Sequence, residues 1–294
     1  MKDLGTRVGV AAIGIPAVLG LAYLGGWYLA LPLTAFAAWG THEVARLSAK
    51  KDVHALEFIS APAAAALVLA AAWSPTFRTF APIGLGVIGA ATVAALATAL
   101  SARGPAKNPL GASAVTGFSV VYLGLPLGCA MLLRALPESP AWSVPPERSS
   151  ASGLALLALP LAATWIGDAA AYFAGSTWGR AKMAPSISPN KSWVGFWANV
   201  AGGGVAAVLW ALAVAALLPD LPMMPMPLVG VLGAGLGATA VVGDLVESLL
   251  KREAGVKDSG TFFPGHGGVL DRIDSLLFTI PAAYVALAVL GATG

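Results

Sequence analysis

Five carboxylates stand in or against apolar stretches in the second half of the chain: Asp168, Asp244, Glu247, Asp271 and Asp274. An acid inside a long apolar segment is costly and marks a functional site by default. Helical spacing groups them. Asp244, Glu247, Ser248 and Lys251 fall at i, i+3, i+4 and i+7, one face of a helix, and Asp271, Asp274 and Ser275 share a face in the same way. Two such faces joined by a short connection suit a hard divalent ion such as Mg²⁺, which takes oxygen ligands and shares them with substrate phosphates. The competing structural reading pairs these acids with Lys251, Arg252 and Arg272.

The connection between the two faces carries Gly265, Gly267 and Gly268 just before a predicted helix, with Lys251, Arg252, Lys257 and Arg272 around them. Free backbone N–H groups at a helix start favour an anion, so this loop suits a polyphosphate. His266 sits between two of the glycines, where a hydrogen-bonding or structural role weighs at least as much as acid–base chemistry. A second basic, hydroxyl-rich stretch follows Asp168 and holds Arg180, Lys182, Ser186, Ser188, Lys191 and Ser192. His42 and His54 are scattered with respect to the acids, which argues against metal ligation by them. The single Cys129 excludes a disulfide framework or a cysteine metal cluster.

The elements that position these groups follow from composition. The chain has 294 residues, 57% hydrophobic and 11% charged, with a mean hydropathy of +0.80. Soluble domains are roughly 45–50% apolar and about 25% charged, so a water-soluble single domain is excluded. A span needs about 20 mostly apolar residues, and nine segments qualify: 8–24, 27–46, 55–73, 79–100, 111–134, 153–175, 193–218, 225–250 and 272–293. The expectation is an all-α integral membrane protein, a polytopic bundle of about nine transmembrane helices. With a cytoplasmic N-terminus, 14 of the 17 Lys and Arg fall on the cytoplasmic side, and only Arg78, Arg134 and Arg148 fall outside. The cations punctuate apolar segments and form no stripe, which argues against nucleic acid.

The first five segments carry almost nothing ionisable in their interiors. Residues 1–152 therefore read as an N-terminal scaffold of about five helices, and 153–294 as a catalytic region of about four helices with cytoplasmic loops. Asp168, Asp244 and Asp271 are expected at one depth, just below the cytoplasmic surface.

The stretch from Ser248 to Asp274 resembles the signature of the phosphatidate cytidylyltransferase (CDP-diacylglycerol synthase) family. It reads Ser248, Lys251-Arg252, Lys257-Asp258, Gly260, Phe263-Pro264, His266-Gly267-Gly268 and Asp271-Arg272-Ile273-Asp274. The resemblance continues more loosely upstream through Asp168, Ala171-Tyr172-Phe173, Gly175, Gly179, Pro185 and Ser188-Pro189-Asn190-Lys191-Ser192. There the chain departs from the family pattern at Ala169, Ser176 and Val194.

The resemblance implies an enzyme of the bacterial inner membrane that condenses CTP with phosphatidate, using Mg²⁺, on the cytoplasmic side and as a homodimer among membrane lipids. It assigns catalysis to Asp244, Asp271, Lys251 and Lys191, and metal binding to Asp244 and Asp271 with Asp168 and Asp274 beside them. Substrate binding falls to Ser188, Ser192, Arg252, Lys257, His266, Gly267, Gly268 and Arg272. The alternatives are a CTP-dependent enzyme acting on another lipid acceptor and an ion-coupled transporter. Transporter sites favour the bilayer midplane and repeat symmetry, and neither is visible in this sequence.

Overall fold

The computed structural model describes residues 2–102, 104–138, 142, 144–263 and 267–291. Each of the nine apolar segments is helical: α1 (Lys2–Leu24), α2 (Gly26–Ala49), α3 (Glu57–Trp73), α4 (Phe77–Ala102), α5 (Pro109–Ser119) continued by α6 (Leu125–Ala135), α7 (Ser149–Trp178), α8 (Trp193–Leu217), α9 (Met226–Glu253), and α10 (Leu270–Ile273) followed by α11 (Leu276–Gly291). Six helical stretches among the described residues are long and apolar enough to cross a membrane. They are Phe77–Ala102, Pro109–Glu138, Pro146–Trp178, Trp193–Leu217, Met226–Glu253 and Leu270–Val289. The chain is an all-α integral membrane protein.

Local chemistry sets the element boundaries. Gly25 and Gly26 take positive φ, a conformation that L side chains avoid, and so turn α1 into α2. Asn108 caps α5 by accepting from Gly111 N at 3.1 Å, with Pro109 in the first turn where no N–H is needed. Between α5 and α6, residues Val120–Gly124 widen into a π-helical turn, so the segment is one helix with a bulge. The stretch between α7 and α8 is more than a loop. β1 (Lys182–Ala184) and β2 (Ser188–Ser192) form an antiparallel hairpin, pairing Lys182 with Ser192 and Ala184 with Ser188.

The chain divides into two compact units. The first comprises residues 1–132 and 250–273, and the second 133–249 and 274–294. In the first unit, Leu67, Val68 and Leu123 are fully buried, and Gly124 brings its helix against Ala64 and Leu67 of α3. Leu56 N, free at the start of α3, donates to Thr116 Oγ1 at 2.8 Å.

In the second unit the helices approach through small residues, as membrane helices do where lipid gives no hydrophobic drive between them. Gly202 of α8 lies against Gly167 and Ala170 of α7, and Gly203 of α8 against Gly233 and Gly237 of α9. Hydrogen bonds tie these contacts: Trp210 Nε1 donates to the Ala155 carbonyl at 2.6 Å, and Thr164 and Thr279 hydroxyls meet at 3.2 Å.

Candidate active site

A cavity of about 690 Å³ opens in the second unit, walled by α7, the hairpin, α8 and α9. Asp168, Lys191, Ser192, Asn199 and Asp244 line it. The hairpin supplies two cations, Lys182 and Lys191. Lys191 Nζ stands 2.7 Å from Asp244 Oδ2 and donates at 3.5 Å to the Val241 carbonyl one turn earlier on α9. The other Asp244 oxygen accepts from Ser248 Oγ at 3.3 Å, and the Asp244 side chain remains 39% exposed. Asp168 lies within the field of both Asp244 and Lys191.

Asp168 is oriented from α8. Asn199 Nδ2 donates to Asp168 Oδ1 at 2.9 Å, and Gly167 leaves the space that the Asn199 side chain fills. Asn199 is 1% exposed, and its Oδ1 accepts no hydrogen bond from the described residues. Asp168 and Asp244 bring two carboxylates to one cavity, a hard-oxygen environment that fits Mg²⁺. Among the described residues no three His, Cys, Asp or Glu side chains are already gathered as a metal cluster. Mg²⁺ uses one or two carboxylates and completes its shell with water and phosphate. Ser192 caps α8, accepting from Gly195 N at 3.2 Å, and its hydroxyl packs where Gly179 has no side chain.

The first unit holds a second set of acids in a different state. Asp271, at the start of α10, accepts four hydrogen bonds: from Lys251 Nζ at 2.6 Å on Oδ1, and from Ser259 N, Ser259 Oγ and Gly268 N at 2.9, 2.9 and 2.7 Å on Oδ2. Its side chain is 6% exposed. Beside it lies Glu43 of α2, 1% exposed. Glu43 Oε1 accepts from Val269 N, and Oε2 from Leu270 N and Ser259 Oγ, each at 2.9 Å.

The glycines permit this packing. A Cβ on Gly260 or Gly268 would run into the Glu43 carboxyl group, and one on Gly267, whose φ is +82°, would run into Asp271. The loop amides offered to a phosphate by the sequence are therefore taken up by the chain's own carboxyl groups.

The sequence-derived site residues divide accordingly. Asp168, Lys191, Ser192 and Asp244 share the cavity, and Asp271, Lys251, Gly267 and Gly268 share the second cluster. Ser188 pairs with Ala184 at the other end of the hairpin and does not line the cavity. Arg252 donates to the Val256 carbonyl, while Lys257 and Arg272 are exposed. Asp274 Oδ1 accepts from Ser275 N at 2.6 Å, an arrangement at the start of α11 rather than in the cavity. His266 lies outside the described residues.

Two residues escaped the sequence reading. Glu43 is an exception within the first five segments, which otherwise hold almost no interior ionisable group, and Asn199 is a buried amide within its apolar helix. The available signals were an acid three residues before the end of the second segment, and a lone amide in the seventh.

Comparison with known proteins adds independent findings. The Cytidylyltransferase family matches residues 5–290. Over 131 residues the chain is 43% identical to a phosphatidate cytidylyltransferase of Haemophilus influenzae, covering 44% of each chain. Over 138 residues it is 42% identical to a phosphatidate cytidylyltransferase of Bacillus subtilis, covering 46% of this chain and 48% of that one. It is also 38% identical over 170 residues to the uncharacterized protein YnbB of Escherichia coli, covering 58% of this chain and 54% of that one. The matched stretches span about half the length of these curated relatives.

Proposed function

Because the chain belongs to the cytidylyltransferase family, we propose that it is a phosphatidate cytidylyltransferase, converting CTP and phosphatidate into CDP-diacylglycerol and pyrophosphate. The observation that carries this reading is the cavity that places Lys191 2.7 Å from Asp244 and includes Asp168.

The reaction needs little covalent help from the protein. A phosphate oxygen of phosphatidate, anionic near neutral pH, attacks the α-phosphorus of CTP. A new P–O bond forms there as the bond to the β-phosphate bridge breaks, and pyrophosphate leaves with that electron pair. What the enzyme supplies is positioning and charge neutralisation. Lys191 meets phosphate oxygens as a cation of the cavity, and its bond to Asp244 holds the ammonium group in place between turnovers. Asp244 and Asp168 would hold Mg²⁺, with Asn199 fixing the Asp168 carboxyl, and there it would supply charge neutralisation for the phosphates. Lys251, braced by Asp271, is a second cation directed at phosphate, and Arg252, Lys257 and Arg272 add positive charge near it.

The protein works in this reading as a homodimer in the bacterial inner membrane, with its polar cavity on the cytoplasmic side. The distribution of 14 of 17 basic residues supports that orientation, and CTP is a cytoplasmic nucleotide.

The test is pyrophosphate release by purified protein in detergent supplied with CTP, phosphatidate and Mg²⁺. Lipid-dependent release with CTP, absent with UTP or dATP and lost on chelation, is the expected result. No release from folded protein under these conditions overturns the assignment.

A further inference from the structure

The strongest interaction network outside the cavity joins α2 to the glycine-rich segment. Along α2, Phe36, Trp39, Gly40 and Glu43 fall at i, i+3, i+4 and i+7, so they form one face. That face receives the segment. Phe36 meets Phe263 edge-on with ring centres 6.4 Å apart, and Trp39 meets Phe262 at 5.0 Å. Gly40 leaves room for Leu123, with Leu270 at van der Waals distance beside it, and Glu43 binds the amides of Val269 and Leu270.

The Ser259 hydroxyl connects the two acids. It stands 2.9 Å from both Glu43 Oε2 and Asp271 Oδ2, so its single proton is shared between them. Ser259 N donates to the same Asp271 oxygen, and Asp271 Oδ1 receives Lys251. The path from Glu43 through Ser259 and Asp271 to Lys251 is thus continuous, the one Ser259 hydroxyl proton serving both acids and the Ser259 amide and Lys251 each donating to Asp271.

We propose that Glu43 is the positioning residue of this segment: from α2 it fixes Ser259 and the start of α10 so that Asp271 presents the Lys251 ammonium group to a substrate phosphate. Glu43 touches no substrate and acts through Asp271. The catalytic part of this inference rests on the cytidylyltransferase reading, whereas the anchoring part stands on the hydrogen bonds alone.

Three variants test it in purified full-length protein: Glu43→Gln, Ser259→Ala and the two combined. Each is assayed with CTP, phosphatidate and Mg²⁺, with rates taken per folded molecule. Glu43→Gln keeps the side-chain shape but turns an NH2 group toward an N–H donor. The expected result is a kcat lower by 30-fold or more, with KM for CTP within threefold of wild type. Hydrogen exchange speeds up at least tenfold at the amides of Ser259, Gly268, Val269 and Leu270, but not in the core helices.

The double variant should lose no more activity than the worse single variant, because both changes break one path. Independent structural contributions would instead multiply. A kcat within threefold of wild type, or losses that multiply, overturns the proposal. Should Glu43→Gln fail to fold, Ser259→Ala decides, with full kcat overturning the proposal and a selective kcat loss supporting it. If wild-type protein releases no pyrophosphate, the reaction reading fails separately, and unchanged exchange at the four amides still removes the anchor.

Discussion

Asp244 at the cavity of the second unit is open, and Asp271 and Glu43 of the first unit are closed. Asp244 holds one lysine and one weak serine contact, with 39% of its side chain exposed, while Asp271 at 6% exposure receives Lys251 and two amide N–H groups, Glu43 at 1% receives two amide N–H groups, and the two share the Ser259 hydroxyl. An acid with vacant lone pairs can take up a cation or a proton during a reaction. An acid whose lone pairs are filled by protein donors instead fixes the chain around it. In the proposed reaction, acids of the same chemical type would thus serve as reagent in one unit and as scaffold in the other.

The largest separation between the two roles should appear in activity. Asp244→Asn keeps the shape of the side chain and removes the charge that opposes Lys191 and any bound cation. Turnover should fall by about 10²–10³-fold, the scale seen when one preorganised charge partner is lost. The unfolding midpoint should stay near that of wild type, because the side chain is partly exposed and bears few contacts. Pyrophosphate release and denaturant titration of the same preparation read both quantities, and retained turnover would remove the cavity from the mechanism.

Asp271→Asn should show a different balance, because it strips the charge from a nearly buried pair and gives Gly268 N and Ser259 N an amide in place of a carboxylate. Breaking a buried pair by removing one partner costs about 3–5 kcal/mol. A marked drop in the unfolding midpoint is expected here, with the activity loss following both from lower stability and from a misplaced Lys251. Equal midpoints for Asp244→Asn and Asp271→Asn would erase the distinction between the units.

How much of this was visible beforehand depends on what a sequence records. Residue type and spacing are recorded, so the apolar segments, the Asp244 face and the Lys191 stretch could be read directly. Hydrogen-bond occupancy is not recorded. Asp244 and Asp271 looked equivalent as ligand candidates, and only the fold distinguishes an open acid from a filled one. Glu43 was overlooked because it stands three residues before Arg46 and close to Lys50 and Lys51, where an acid reads as a solvated charge at a helix end. Its partners lie 216 to 227 residues away in the chain. The hairpin was hidden for a related reason. Its strands are three and five residues long and hold Pro189 and Asn190, which argue for a turn rather than a strand.

Glycines give a finer test of the same contrast. At Gly268 an added methyl group would overlap the Glu43 carboxyl and the Ser259 hydroxyl, so Gly268→Ala should destabilise by about 1–3 kcal/mol. Gly235 on α9 is exposed and has nothing within 4 Å of an added Cβ. Gly235→Ala should be neutral or should stabilise by about 0.5–1 kcal/mol through helix propensity. Paired denaturant titrations check the sign of each change. Equal tolerance at both positions would mean that the Glu43 cluster is loosely packed.

The smallest effect belongs to an ion pair that lies apart from both clusters. Arg148 and Asp220 pair in the second unit between two loops, with 42% and 55% of their side chains exposed. Water solvates both groups well in the unfolded chain and partly in the folded one, so the Coulomb gain nearly offsets the entropy lost in holding two long side chains together. Exposed pairs of this kind contribute about 0.2–1 kcal/mol, and less at high salt. Arg148→Ala should therefore shift the unfolding midpoint slightly at low ionic strength, and scarcely at all in molar salt. Turnover should be unchanged, because neither group lines the cavity. A large midpoint shift that persists in high salt would show that the pair is shielded from solvent, and exposure would then no longer separate structural from reactive acids in this protein.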